Sequence, residues 1–156
     1  MTAPYEELLE GETRLRPPPG ARHEEICRRL HERVAASMTS VGVAKLLAPR
    51  TLVELSREVH VRPDLALVTA ATGKLWLAAE VINSEDHNPD TVIKKTLYEQ
   101  NRLPRLWMVD PRYNNVEVYH GNEYGVSLKA ILAGKDSLTE HLLPEFQFPI
   151  AELFKI

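Results

Sequence analysis

With a single cysteine, Cys27, the chain can form neither an internal disulfide framework nor a zinc cluster built on thiolates. No apolar run approaches the ~18 residues of a membrane-spanning helix. The polar, acidic start from Met1 to Glu10 lacks the basic-then-apolar layout of a secretory signal. These absences predict a cytoplasmic protein with no membrane association. A basic excess is missing too: the formal net charge is −3, awkward for a nucleic-acid enzyme, whose phosphate ligands need a positive field. Distribution matters more than the sum. Arg14, Arg16, Arg22, Arg28, Arg29 and Arg33 are concentrated near the N-terminus, while acids dominate Glu6 to Glu12 and the C-terminal third. There is no internal repeat, low-complexity tract or interdomain linker. What is present, 156 residues at 44% apolar and 26% charged, suits one globular domain spanning residues 1–156.

Residues 5–16 read as a short strand pair turning at Glu10-Gly11 and stopped by Pro17-Pro18-Pro19-Gly20. Ile26, Leu30, Val34 and Met38 then recur every four residues, which predicts a helix over 23–38. Arg28, Arg29 and Arg33 fall off that stripe, as a solvated face or a phosphate-tracking one. Strand-like runs follow at 43–48, 51–57, 63–69 and 75–82. Asn88-Pro89-Asp90 places asparagine at an N-cap, proline at the first helical position and an acid in the first turn, so a helix should span 90–101. Segments 105–109 and 116–119 read as strands, and the tail from Ser127 as a short helical stretch followed by 138–143. The order predicts an α/β or α+β fold, a sheet covered by helices.

Residues 63–82 carry the most information. Two apolar strands are separated by Ala71-Thr72-Gly73, and a loop of that length ends in a left-handed residue, which glycine tolerates. Closing it pairs Ala70 with Lys74; counting outward sets Ala66 opposite Ala78 and Asp64 opposite Glu80. Opposed residues share a sheet face, their Cβ atoms ~5 Å apart. Two carboxylates inside apolar strands repel, so one must bind a proton or both a cation; oxygen donors suit Mg²⁺ or Mn²⁺. A two-residue turn at Thr72-Gly73 would slip the register and send the acids to opposite faces. The plainer account is two strand-end acids meeting water.

On the next helix, Asp90, Lys94 and Tyr98 stand at i, i+4 and i+8, offset from the Ile93 and Leu97 stripe. A lysine aimed at two metal-binding acids can orient or deprotonate an attacking water and offset charge on a phosphate. The plainer account is an i,i+4 salt bridge worth ~0.2–0.5 kcal/mol. Lys95 points roughly a hundred degrees away, as a surface residue or phosphate contact.

Taken in order, E-L-L-E-G-E from Glu7, P-P-P-G-A-R-H ending at His23, R-P-D-L from Arg62, A-E-V-I from Ala79, D-T-V-I-K-K-T-L-Y from Asp90 and L-W-M-V-D-P from Leu106 resemble the Uma-two family. That family is restriction-endonuclease-like and lies within the PD-(D/E)XK nuclease superfamily; the resemblance covers nearly the whole chain. It implies a restriction-endonuclease-like core, with a central mixed sheet flanked by helices, and a metal-dependent endonuclease acting on DNA. It implies Asp64 and Glu80 as metal ligands with the Val81 carbonyl, one or two Mg²⁺ (or Mn²⁺) ions, and Lys94 as the catalytic lysine. The superfamily usually carries that lysine two residues beyond the acid, where Ile82 stands here. Glu7 and His23 also match family positions, as a third acid and a site residue or helix-start cap. Asp90 and Tyr98 share the Lys94 face, and Arg22, Arg28, Arg29 and Lys95 are phosphate-contact candidates. Double-stranded DNA is the expected partner, with a homodimer as a way to engage both strands. Two departures stand out: Asn83-Ser84-Glu85-Asp86 replaces the family's Ser-Pro-Ser-Thr, and Arg102-Leu103 its glycine-valine.

Two rivals follow from the residues. One is a nuclease-like fold that binds nucleic acid or protein without cutting, favoured by the −3 charge. The other is a zinc hydrolase using His60 or His87 beside Asp64 and Glu80, since imidazoles shift preference toward transition metals.

Overall fold

The structure, a computed structural model, describes residues 3–38, 42–82 and 89–156, with only the backbone of Pro89 and Asp90. Strands β1 (Tyr5–Leu9) and β2 (Glu12–Arg16) form the expected hairpin, with Leu9 paired to Glu12. Glu10 and Gly11 both take positive φ, 53° and 80°, the backbone twist that a two-residue hairpin turn requires. After the prolines, α1 (Ala21–Ser37) buries His23, Ile26, Cys27, Leu30 and Val34. The expected stripe is there, and it extends back one turn to include His23.

Next come β3 (Ala44–Leu46), β4 (Val53–Ser56), β5 (Val59–Val61), β6 (Leu65–Thr69) and β7 (Leu75–Val81). Helix α2 (Pro89–Gln100) crosses to β8 (Arg105–Asp110), followed by β9 (Asn115–Asn122), β10 (Gly125–Ala133), β11 (Ser137–Glu140), β12 (Leu143–Pro149) and a short α3 (Ile150–Leu153). Three stretches differ from expectation, one of them 138–143, which spans the turn of a hairpin between β11 and β12 rather than a single run. Strand β5 is only three residues long, too short for alternation to show. The helical stretch expected from Ser127 is part of β10, because pairing with β9 from Gly125–Asn122 to Ala133–Asn115 overrides local propensity.

The main sheet has six strands in the order β10-β9-β8-β7-β6-β3, beside a second sheet ordered β2-β1-β5-β4. All main-sheet neighbours are antiparallel except β7 and β8, which run parallel across α2. The sheet is therefore mixed and flanked by helices, as expected. One face packs on α1 through Leu65, Leu67, Leu77, Ala79 and Val81, with β12 and α3 closing that core. The other packs on α2 and the second sheet through Ala66, Ala78, Leu97, Tyr98 and Leu9.

The β6–β7 hairpin reaches its register by a different route from the one expected. Thr69, not Ala70, closes on Lys74, with the Thr69 N–H donating to the Lys74 carbonyl at 2.9 Å. Gly73 is left-handed as expected, φ 71°. That closure alone would put the strands one residue out. A bulge between Leu67↔Leu77 and Val68↔Leu75 adds Trp76 and restores the pairing of Ala66 with Ala78.

Candidate active site

The parallel crossover sends the chain from the end of β7 into α2, which returns over the same sheet face. Glu80 near that end, Asp64 just before β6 and Lys94 on α2 thereby line one cavity of ≈ 40 Å³, together with Tyr5, Arg16 and His23. One water takes up ~10–15 Å³ measured this way, so the space suits an ion and a water or two.

Lys94 Nζ donates to Glu80 Oε1 at 2.7 Å and to Glu7 Oε2 at 2.8 Å. Glu80 Oε2 accepts from the Tyr98 hydroxyl at 2.6 Å. The i, i+4 spacing of Lys94 and Tyr98 thus places one donor on each oxygen of a single carboxylate. Glu7 is fully engaged: Arg16 Nε donates to Oε1 at 2.9 Å, and the Arg62 N–H to Oε2 at 2.7 Å. It therefore holds Lys94 from behind rather than facing the cavity. Asp64 Oδ2 accepts the Val81 N–H at 2.8 Å and lies 3.4 Å from His23 Nε2, which also donates to the Val81 carbonyl at 2.9 Å. Asp64 Oδ1 accepts from Arg50 Nη1 at 3.1 Å.

Burial opposes ionisation throughout, and the partners decide the outcome. Glu7 is held low despite burial by Lys94, the Arg62 N–H and Arg16, and Asp64 likewise by His23, the Val81 N–H and Lys94. Lys94 is raised against its burial by Glu80 and Glu7, so it is an ammonium. Glu80 is pushed up from 4.5 to about 7, by burial first and then by the Glu7 and Asp64 charges, against the pull of Lys94.

The sequence matches the family Uma2, described as "Putative restriction endonuclease", over residues 3–151. The chain belongs to the Uma2 family. No curated protein matches it. Among solved structures it is similar to a "putative nuclease belonging to DUF820" from Anabaena variabilis ATCC 29413. That likeness has a TM-score of 0.80 at 15% identity and covers 98% of this chain and 91% of that one. Family and fold support a nuclease with a nucleic-acid substrate, and restriction-endonuclease-like families generally depend on a metal.

Against this Uma2 frame the other candidate residues are placed as follows. His23 faces the site and Tyr98 clamps Glu80, whereas the Asp90 side chain, His87 and residues 83–86 lie outside what is described. Arg28 pairs with Glu25 and Glu32, and Arg29 with Glu25 and the Leu153 carbonyl. Arg22 donates to Asn114 Oδ1 and the Phe154 carbonyl at 3.2 Å each, and Lys95 sits 4.4 Å above the Tyr119 ring. These cations are occupied by internal partners. His60 lies 3.7 Å from Glu54 and is not part of the cavity lining, which removes the geometric basis for a His60 zinc site.

His23, Cys27 and Asp64 bring ligating atoms within 4.8 Å of one another, a possible carboxylate and histidine ion site. Asp64 meets Nε2, however, while Cys27 Sγ lies 3.6 Å from Nδ1, on the other side of the ring. Burial also pushes the Cys27 thiol up, away from thiolate.

Three residues at the Uma2 site were not foreseen: Arg16, Arg50 and Glu24. Arg16 was legible, since the β1–β2 register opposes Glu7 to Arg14 and puts Arg16 on the diagonal of the same face. Nothing local marks Arg50 or Glu24, which meet across 26 positions of chain at 2.7 Å.

The raised Glu80 has a measurable consequence. A folded carboxyl above its ordinary value keeps a proton that the unfolded chain has lost, so stability should fall as pH rises from 4.5 to about 7. Each tenfold gain in proton affinity on folding is worth ~1.4 kcal/mol, so the loss is of order 1–3 kcal/mol. Urea midpoints of metal-free wild type and Glu80→Gln should diverge across that window, the wild type weakening. A constant difference would show that Glu80 titrates as an ordinary carboxyl.

Proposed function

We propose that the chain is a divalent-metal-dependent endonuclease that hydrolyses phosphodiester bonds of double-stranded DNA. The observation that carries this is an ammonium held between buried Glu7 and half-buried Glu80, beside a cavity that Glu80 and Asp64 both line.

The donor set fits Mg²⁺ or Mn²⁺. Asp64, Glu80 and the Val81 carbonyl offer hard oxygen donors around one small space, the chemistry those ions select. When bound, such an ion polarises the phosphate and makes water more acidic. Lys94 commits two of its three hydrogens to Glu80 and Glu7, which aims the third at a water or phosphate oxygen. Being an ammonium, it orients water and offsets phosphate charge rather than taking a proton. Tyr98 and Glu7 hold Glu80 and Lys94 in place, and His23 does the same for the Val81 carbonyl and Asp64. Hydrolysis joins the water oxygen to phosphorus and releases the sugar oxygen, which takes up a proton. A hollow of ≈ 360 Å³ shares His23 and Ile82 with the site and carries Arg22 and Arg112, which would have to turn from Asn114, the Phe154 carbonyl and Asp110 to meet the DNA backbone. Two copies related by a two-fold would address both strands, working in the cytoplasm.

The non-cutting alternative has one observation in its favour: the α1 arginines are neutralised by their own helix and the C-terminus. A plasmid assay separates the two. The purified chain should nick supercoiled DNA with Mg²⁺ or Mn²⁺ and stop on chelation. Binding without nicking under either metal would establish the alternative.

A further inference from the structure

Arg50 sits in the loop between β3 and β4 with φ 58°, a left-handed conformation uncommon for a residue with a side chain. Its N–H donates to the Pro63 carbonyl at 3.0 Å, and its own carbonyl accepts from Arg62 Nη1 at 3.1 Å. The loop is thus pinned to the segment that leads into Asp64. Strain of this kind persists only where surrounding contacts enforce it, and it concentrates at functional sites.

The guanidinium lies against Asp64 and Glu24, and the side chain is 13% exposed. Nη2 donates to both Glu24 oxygens, at 2.7 and 2.9 Å, while Nη1 alone reaches Asp64 Oδ1 at 3.1 Å. Asp64 Oδ2 is already taken by the Val81 N–H and faces His23. Oδ1 is the oxygen that Arg50 holds, so an ion drawing on it would have to displace Arg50. Lys94 is placed differently, donating to Glu80 and Glu7.

We propose that Arg50 is an exchangeable counter-charge that competes with the divalent ion for Asp64 and then binds the substrate phosphate. Its planar fork allows this, because one nitrogen stays tethered to Glu24 while the other is released. With an ion on Asp64, Arg50 Nη1 would leave Oδ1 while Nη2 kept Glu24, and its freed N–H groups would be available to a phosphate oxygen. A lysine would have to make both contacts from one nitrogen, without the fixed spacing between Nη1 and Nη2. The proposal rests on Asp64 being a metal ligand, as argued above.

The test is Mn²⁺ affinity without DNA, read from the resonance of free Mn²⁺, alongside nicking at saturating Mn²⁺. Arg50→Gln should bind Mn²⁺ about tenfold more tightly, the effect of removing one adjacent like charge, and yet nick about tenfold or more slowly. Glu24→Gln should do the opposite to affinity, weakening Mn²⁺ binding, because the untethered guanidinium falls wholly to Asp64. Opposite signs from the two halves of one ion pair cannot come from general loosening of the site, which would weaken both. The Glu24 variant also keeps the test decisive should Arg50→Gln fold poorly. If wild type binds Mn²⁺ and Arg50→Gln binds it no more tightly, or Glu24→Gln binds it no more weakly, the exchange proposal falls alone. If neither wild type nor variants bind Mn²⁺, the metal-centred reading falls with it.

Discussion

Lys94→Met should lower Mg²⁺-dependent nicking by about 10²- to 10⁴-fold, the range for losing a group that positions the nucleophile and meets charge in the transition state. The effect should appear in the rate at saturating metal, because the proposed metal ligands Asp64, Glu80 and the Val81 carbonyl are untouched. Stability should suffer too. Removing the ammonium leaves buried Glu7 and half-buried Glu80 without it, and stripping one partner from a buried pair costs about 3–5 kcal/mol. Here the loss should fall at the low end. Glu7 keeps Arg16 and the Arg62 N–H, while Glu80 keeps Tyr98 and can take a proton. The variant should therefore regain stability below pH 7 or with Mn²⁺ bound, and its nicking should be compared under those conditions. Wild-type nicking by folded Lys94→Met would reduce this lysine to a structural counter-ion. Lys94→Arg should not rescue, since a planar fork cannot reproduce a point donor between two carboxylates.

Arg16→Met should lower unfolding free energy by about 3 kcal/mol, the low end for a buried pair, because Glu7 loses the donor on Oε1 inside a nearly solvent-free pocket but keeps Lys94 and the Arg62 N–H. For a chain of this size that is a fall in melting temperature of about 10 °C. Arg28→Met is the control: its pairs with Glu25 and Glu32 are exposed on α1, and its melting temperature should stay close to wild type. Adding Glu7→Gln to Arg16→Met should cost less than the two single changes together, since each removes the charge the other leaves stranded. Equal melting temperatures for Arg16→Met and wild type would mean that Glu7 is adequately held by Lys94 and the Arg62 N–H alone.

The elements around the site differ in how far they could be read from residue order. Turn chemistry at Glu10-Gly11, the spacing of Ile26, Leu30 and Val34, and a proline at the first position of α2 act between near neighbours. The chain itself therefore determined β1–β2, α1 and α2. It also set Lys94 and Tyr98 on one helix face, since i and i+4 align whatever the helix packs against. The β6–β7 register is a mixed case. Two single-residue departures, closure at Thr69 and the bulge at Trp76, cancel, so Ala66 still faces Ala78.

Tertiary structure alone decided the rest. Strand β10 is a strand because β9 lies beside it. The arginines of α1, open to a phosphate-tracking role in the sequence, are claimed by acids on their own helix and by carbonyls at the C-terminus. Glu7 proves to be the support of Lys94, and Arg50 and Glu24 become site residues because a loop and a helix start converge on Asp64. Periodicity and turn preference act over a few residues and leave a trace in the order of amino acids. An ion pair closed over a long stretch of chain leaves none, because any exposed arginine could have served until the path of the backbone chose one.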